Sequence, residues 1–106
     1  MFDALEVSVA VMEQLAALEP KIRMRRKSLA EQIGTAAESI SLNLSEGRMR
    51  AGLDRIDIFR RAAGSASELT TALRLAKTRR YITAEEFAAV DVFLDRVRAM
   101  LWRLTH

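Results

Sequence analysis

The stretch from Thr83 to Leu104 most restricts what this chain can become: Phe87, Val90, Leu94, Val97, Leu101 and Leu104 recur at 3-4-3-4-3 spacing. On a helix these positions form a narrow apolar seam, the pattern that left-handed packing of nearly antiparallel helices requires. Thr83-Ala84-Glu85-Glu86 in front of it reads as a capping box. Ala89, Phe93 and Met100 widen the apolar sector on one flank, and Trp102 lies on the other, beyond Asp95 and Arg98. A strand reading fails, because no segment of the chain alternates apolar and polar with period two.

Three further helices precede the seam, so that the expected spans are about 4–18, 29–46, 53–79 and 84–105. In the first, Leu5, Val9, Met12 and Ala16 make one stripe and Val7, Val11 and Leu18 a second. Asp3, with Glu6, is the expected cap, and Pro20 the expected stop. Ser28-Leu29-Ala30-Glu31 repeats the capping-box pattern for the second helix, where Leu29, Ile33, Ala36, Ile40 and Leu44 share a face. The third carries a broad apolar sector containing Ile56, Ile58, Phe59, Ala62, Ala63, Ala66, Leu69, Leu73 and Ala76. Asp57 and Arg61 are spaced to pair on its outer side.

Residues Ser39–Gly47 read as the last turns of helix two and the hinge of the fold. Gly47 is the expected left-handed C′ residue. Asn43 falls at the edge of the apolar face, where its amide is expected to tie down the corner near Gly47. Leu42 points the opposite way, either as a lone exposed leucine or against a partner subunit. Gly64, inside the small-residue run Ala62–Ser67, costs about 1 kcal/mol against alanine, so a close neighbour is the expected compensation.

Four helices with short connections imply an all-α, antiparallel up-down-up-down four-helix bundle, in a single domain spanning 1–106. In that topology the first and third connections share an end. Lys21, Arg23, Arg25, Arg26 and Lys27 would then stand beside Arg74, Lys77, Arg79 and Arg80. No acidic residue occurs between Glu19 and Glu31, or between Glu68 and Glu85, so one end should carry a concentrated positive field. Fourteen of the seventeen cations are arginine, a bias that suits a polyanion partner and equally an arginine-rich codon usage.

Other chemistries find little support. The chain has no cysteine, which excludes disulfides and thiolate metal sites and fits a reducing compartment. Its longest uncharged run is seven residues, Ser39–Ser45, far short of a membrane span, and the start Met1-Phe2-Asp3 is acidic where a secretory signal is basic. A cytoplasmic location is the expectation. His106 is the single histidine, so no inward Glu-x-x-His pair, nucleophile–histidine set or metal cluster can be assembled. Glu46 and Glu68 are expected to be caps or ion-pair partners of Arg48 or Arg50 rather than paired catalytic carboxylates. No cofactor, metal or enzymatic activity is expected.

With these residues in view, the chain resembles a known family. Ser39-Ile40-Ser41-Leu42-Asn43-Leu44-Ser45-Glu46-Gly47 with Arg48 is similar to the S-I-P-x-N-[IL]-A-E-G-x-x-R hinge of the bacterial four helix bundle proteins. That family includes the proteins encoded by 23S rRNA intervening sequences and the accessory variability determinant of diversity-generating retroelements. Phe59–Leu69 resembles its F-x-x-x-A-x-G-S-x-x-E-L segment, and Ala76–Ile82 its A-x-x-x-G-Y-[IL] exit. Ser41 stands where the family often has proline, and Arg80 where it usually has the glycine of a left-handed cap, which puts that cap in doubt. The resemblance implies a homopentamer around a central channel, with Leu42, Phe93 and Met100 at the subunit interface. For the retroelement member it further implies basic surfaces that engage nucleic acid and a reverse transcriptase.

Two functions follow. One is a non-enzymatic homo-oligomeric accessory protein that binds RNA or DNA backbone through arginines. The other is a protein–protein scaffold whose arginines are solvated or paired with glutamates.

Overall fold

The computed structural model describes residues 3–106, all of them in four helices and their connections, with no strand among the described residues. The helices are α1 (Asp3–Arg25), α2 (Lys27–Arg48), α3 (Gly52–Thr78) and α4 (Ala84–Thr105). Each packs against its neighbours in a ring, α2 on α1 and α3, and α4 on α3 and α1, which is the antiparallel up-down-up-down arrangement. The long axis measures 42 Å, close to the roughly 40 Å that a 27-residue α3 spans at about 1.5 Å per residue.

The seam of α4 behaves as its spacing requires. Val90, Leu94, Val97 and Leu101 are fully enclosed, with Phe87 and Leu104 half-buried at the two ends. The Thr83 hydroxyl accepts from the Glu86 N–H at 3.0 Å while the Glu86 carboxylate accepts from the Thr83 N–H at 2.8 Å, closing the capping box. The α2 stripe from Leu29 to Leu44 is buried throughout. On α1 the buried stripe is Val7, Val11 and Leu18, joined by Ala4, Leu15 and Ile22. Leu5 and Met12 are half-buried at its edge, Val9 and Ala16 exposed.

Pro20 does not stop α1, which runs on to Arg25. Proline inside a helix costs about 3 kcal/mol, chiefly through a lost hydrogen bond and a clash with the preceding turn. Both Pro20 and Ala16, whose carbonyl loses its donor, face solvent, so water can satisfy that oxygen. Continuing the helix past Pro20 buries Ile22, worth about 1.5–3 kcal/mol, which offsets much of the cost of the proline. Only Arg26, in extended conformation, then separates α1 from α2. Ser28 therefore lies inside α2 and caps nothing. Glu31 instead stands 3.8 Å from Arg23 and 3.9 Å from Lys27. Asp3 is likewise already helical, and the residue before it lies outside the described residues.

The hinge differs from expectation in three respects. Gly47 is a buried residue within α2, not a left-handed terminus. A Cβ there would sit 2.5 Å from the Phe59 ring, so the glycine exists to let α3 approach. Left-handed backbone occurs instead at Gly52 (φ 61°) and at Arg80 (φ 63°). Asn43 turns away from the corner and donates to the Ser39 carbonyl at 2.8 Å and the Ser39 hydroxyl at 3.1 Å. The α2 terminus is closed by Arg55, whose guanidinium donates to the carbonyls of Gly47 and Arg48, both at 3.2 Å. Gly64, finally, is exposed, and a Cβ added there would meet nothing within 4 Å, so no close approach compensates it.

Polar contacts at half-height fix the register of the helices. Ser8, almost fully buried, donates to the Leu5 carbonyl and shares a 2.9 Å hydrogen bond with Ser41 of α2. Ser39 of α2 shares one of 2.7 Å with Ser65 of α3. No buried side-chain polar atom lacks a partner among the described residues.

Candidate nucleic-acid interface

Because α1 and α3 end where α2 and α4 begin, the two basic segments share one end of the bundle. Nine of the chain's seventeen cations lie there, against four of its fourteen acids at the margin: Glu19, Glu31, Glu85 and Glu86. The rest of the molecule holds eight cations and ten acids. The whole positive excess of the protein thus resides at this end.

The segment 21–27 is no flexible linker. Arg23 and Arg25 project from the last turn of α1, where the helix dipole favours cations, and Lys27 from the first turn of α2. Lys21 is committed to an ion pair with Glu86, which ties α1 to α4. That hydrogen bond, followed by the one from the Thr83 backbone, holds the Glu86 carboxyl below the usual glutamate range. Lys77 lies over the Phe87 ring at 4.7 Å and Arg25 over the Tyr81 ring at 5.4 Å. Among the described residues Arg26, Arg74, Arg79 and Arg80 have no ion pair with an acid.

The α3 exit presents two of these four cations. Arg80 N–H bonds the Lys77 carbonyl at 3.0 Å and Tyr81 N–H bonds the Ala76 carbonyl at 2.8 Å, the two crossed bonds of a Schellman motif. Its C′ position requires left-handed backbone, and Arg80 supplies it at φ 63°. The cap is intact without glycine, at a cost of about 1–2 kcal/mol.

Two clefts open at this end, one on each side of Tyr81. The first, about 230 Å³, has Leu29, Leu75 and Tyr81 as its apolar wall and Arg26 and Arg79 among its lining residues. The second, about 640 Å³, is lined by Lys21, Lys77 and Arg80 and also by Glu86, whose carboxylate is paired with Lys21. Arg74 joins neither. It lines the α3–α4 groove with Trp102 and Arg98, and Arg98 there donates to Thr70 at 2.8 Å and Asp91 at 3.1 Å. Tyr81 carried no weight in the sequence beyond the helix exit. Its signal would have been an aromatic residue directly after three cations in four residues, Lys77, Arg79 and Arg80.

The hinge carboxylates do not meet. Ser39 opposite Ser65 sets the register, and Glu46 and Glu68 depart from it in opposite directions, about 15 Å apart along the axis at 1.5 Å per residue. Glu46 pairs with Arg50 at 3.1 Å. No group of metal-ligating side chains occurs among the described residues, and no helix is long and apolar enough to cross a membrane.

The profile of the family described as 23S rRNA-intervening sequence protein matches residues 3–103. The chain belongs to that family. Among solved structures, a protein of unknown function from the S23 ribosomal protein family of Bacteroides thetaiotaomicron VPI-5482 superposes with a TM-score of 0.88. It is 20% identical, and the match covers 96% of this chain and 97% of that one, a likeness of fold alone. No curated protein matches the chain.

Proposed function

We propose that this family member is a non-enzymatic, homo-oligomeric accessory protein that binds nucleic acid backbone through the basic end of its bundle. The observation that carries the reading is the segregation of charge. Nine cations converge from two chain segments, and Arg26, Arg79 and Arg80 have no acidic partner among the described residues. Arginine on left-handed backbone at position 80, where glycine costs less, adds weight, since strain of this kind is retained where a side chain is needed. Guanidinium groups contact phosphates in a fork and carry no base information by themselves, so binding of low sequence selectivity follows. Mobility shifts with single- and double-stranded RNA and DNA at about 50 mM salt test this. Retarded complexes that dissolve as salt rises are expected, and no shift with any of the four rejects the reading.

Self-assembly has separate support. Leu42 is 68% exposed directly opposite the α2 core stripe, and Trp102 is 61% exposed on α4. Phe93 and Met100 pack half-buried against the protomer's own core and offer only their outer edges. The pentamer is the stoichiometry the family resemblance suggests, and a reverse transcriptase the protein partner. Light scattering at micromolar concentration should report a multiple of 11.9 kDa, and a stable 11.9 kDa species contradicts assembly. The same exposed apolar residues favour the scaffold reading, in which capture of a protein partner survives nuclease treatment.

A further inference from the structure

We propose that the strand held at the basic end is single-stranded, with an unstacked base seated against Tyr81 between phosphates held by Arg26 and Arg79 on one side and by Arg80 on the other. This rests on the nucleic-acid reading above and specifies the ligand. Four features of the site point the same way.

Tyr81, half-buried against the core, lines both clefts, so a chain occupying the two together meets it. The ring is held in place. Its backbone closes the Schellman motif, and the Arg25 guanidinium lies over it, a planar cation that itself accepts a stacked base. The floor of the smaller cleft is apolar, from Leu29 and from Leu75, which is half-exposed although it lies next to buried Ala76. A solvated phosphate gains nothing from such a floor, whereas the face of a base does. Ser28 and Gln32 at the rim offer hydroxyl and amide groups to a base edge.

An aromatic platform with cations on both sides is the arrangement by which single strands are held without sequence preference. A duplex keeps its bases stacked and can offer this end only phosphates. The proposal is therefore one of selectivity: single strand over duplex, with the difference residing in Tyr81.

The test is fluorescence anisotropy on the full chain at about 50 mM salt, with oligo(U) and oligo(dT) of about 20 nucleotides and a mixed-sequence duplex of the same length. Wild type should bind either single strand at least about tenfold more tightly than the duplex. Tyr81→Leu should lower single-strand affinity about 5- to 100-fold and leave duplex affinity unchanged, while Tyr81→Phe keeps the preference. Arg79→Ala should weaken both ligands together. Far-UV circular dichroism confirms that each variant keeps its helices. Equal affinity for duplex and single strand, or a Tyr81→Leu loss shared by both, overturns the base seat while leaving backbone binding in place. Displacement of the oligonucleotide by polyglutamate at equal charge overturns it too, by making the end a general polyanion site. Absence of binding to all probes defeats the underlying reading instead.

Discussion

Replacing Gly47 by alanine isolates the close approach on which the α2–α3 corner depends. An added Cβ would lie 2.5, 2.7 and 3.2 Å from three carbons of the Phe59 ring, where ordinary carbon contacts lie at about 3.5–4.0 Å. Phe59 is 2% exposed, so the ring has no solvent to swing into, and α2 and α3 must separate by up to about 1 Å instead. Overpacking of this kind costs about 1–3 kcal/mol, and the alanine returns at most about 1 kcal/mol of helix propensity. The net expectation is a loss of about 1 kcal/mol. Gly64→Ala is the internal control, because open space surrounds it and only the propensity gain of about 1 kcal/mol remains. The two substitutions should therefore differ by about 2 kcal/mol in opposite directions. Urea unfolding followed by circular dichroism, at one protein concentration and with unchanged slope, reads both. In a Phe59→Leu background the Gly47→Ala penalty should shrink, giving a coupling of about 0.5–3 kcal/mol. If Gly47→Ala stabilises as much as Gly64→Ala does, the reasoning about the corner is wrong.

Other outcomes follow from the same contacts. Arg80→Gly relieves the left-handed strain and should stabilise the fold by about 1 kcal/mol while weakening oligonucleotide binding, so that stability and affinity move in opposite directions. Glu86 has a depressed folded pKa, so its contribution is present above the ordinary glutamate value of about 4.3 and is lost as pH falls through the lower folded value. Comparing acid unfolding of wild type and Glu86→Gln should show curves that diverge above that window and converge below it. Arg55→Ala uncovers two carbonyls at the α2 terminus and should cost about 1 kcal/mol in the same urea assay. Leu42→Glu should dissociate the assembly in light scattering with helix content intact, because the side chain faces away from the protomer core. Loss of helicity would instead place Leu42 in that core.

The bundle was legible wherever apolar spacing was long and regular, as on α4 and along α2. The termini were harder, because local signals compete with tertiary burial. Pro20 reads as a stop, and Ser28 with Glu31 as a start, yet burial of Ile22 carries α1 past Pro20 to Arg25, and α2 has already begun at Lys27. Gly47 was found as a necessary glycine for the wrong reason, since a close neighbour and a left-handed turn leave the same trace in a single sequence. Arg55 takes the corner role expected of Asn43, and nothing in residue spacing distinguishes a side chain that caps from one that bonds its own helix. The basic end was legible from topology alone, because up-down connectivity places alternate turns together. Which cations are bound to acids, and that Tyr81 stands between two clefts, required coordinates: these depend on side-chain reach across helices that are distant in sequence.

The salt dependence of single-strand affinity bears most directly on the basic end as a phosphate-binding surface. Four cations there, Arg26, Arg74, Arg79 and Arg80, pair with neither an acid nor an aromatic ring among the described residues, and each phosphate neutralised on a single strand contributes about −0.7 to the slope of log affinity against log salt. A slope of about −3 is expected, falling toward about −1.5 when Arg26 and Arg79 are both replaced by alanine. A slope near zero, or one that the double substitution leaves unchanged, would contradict the assignment of this end to nucleic acid.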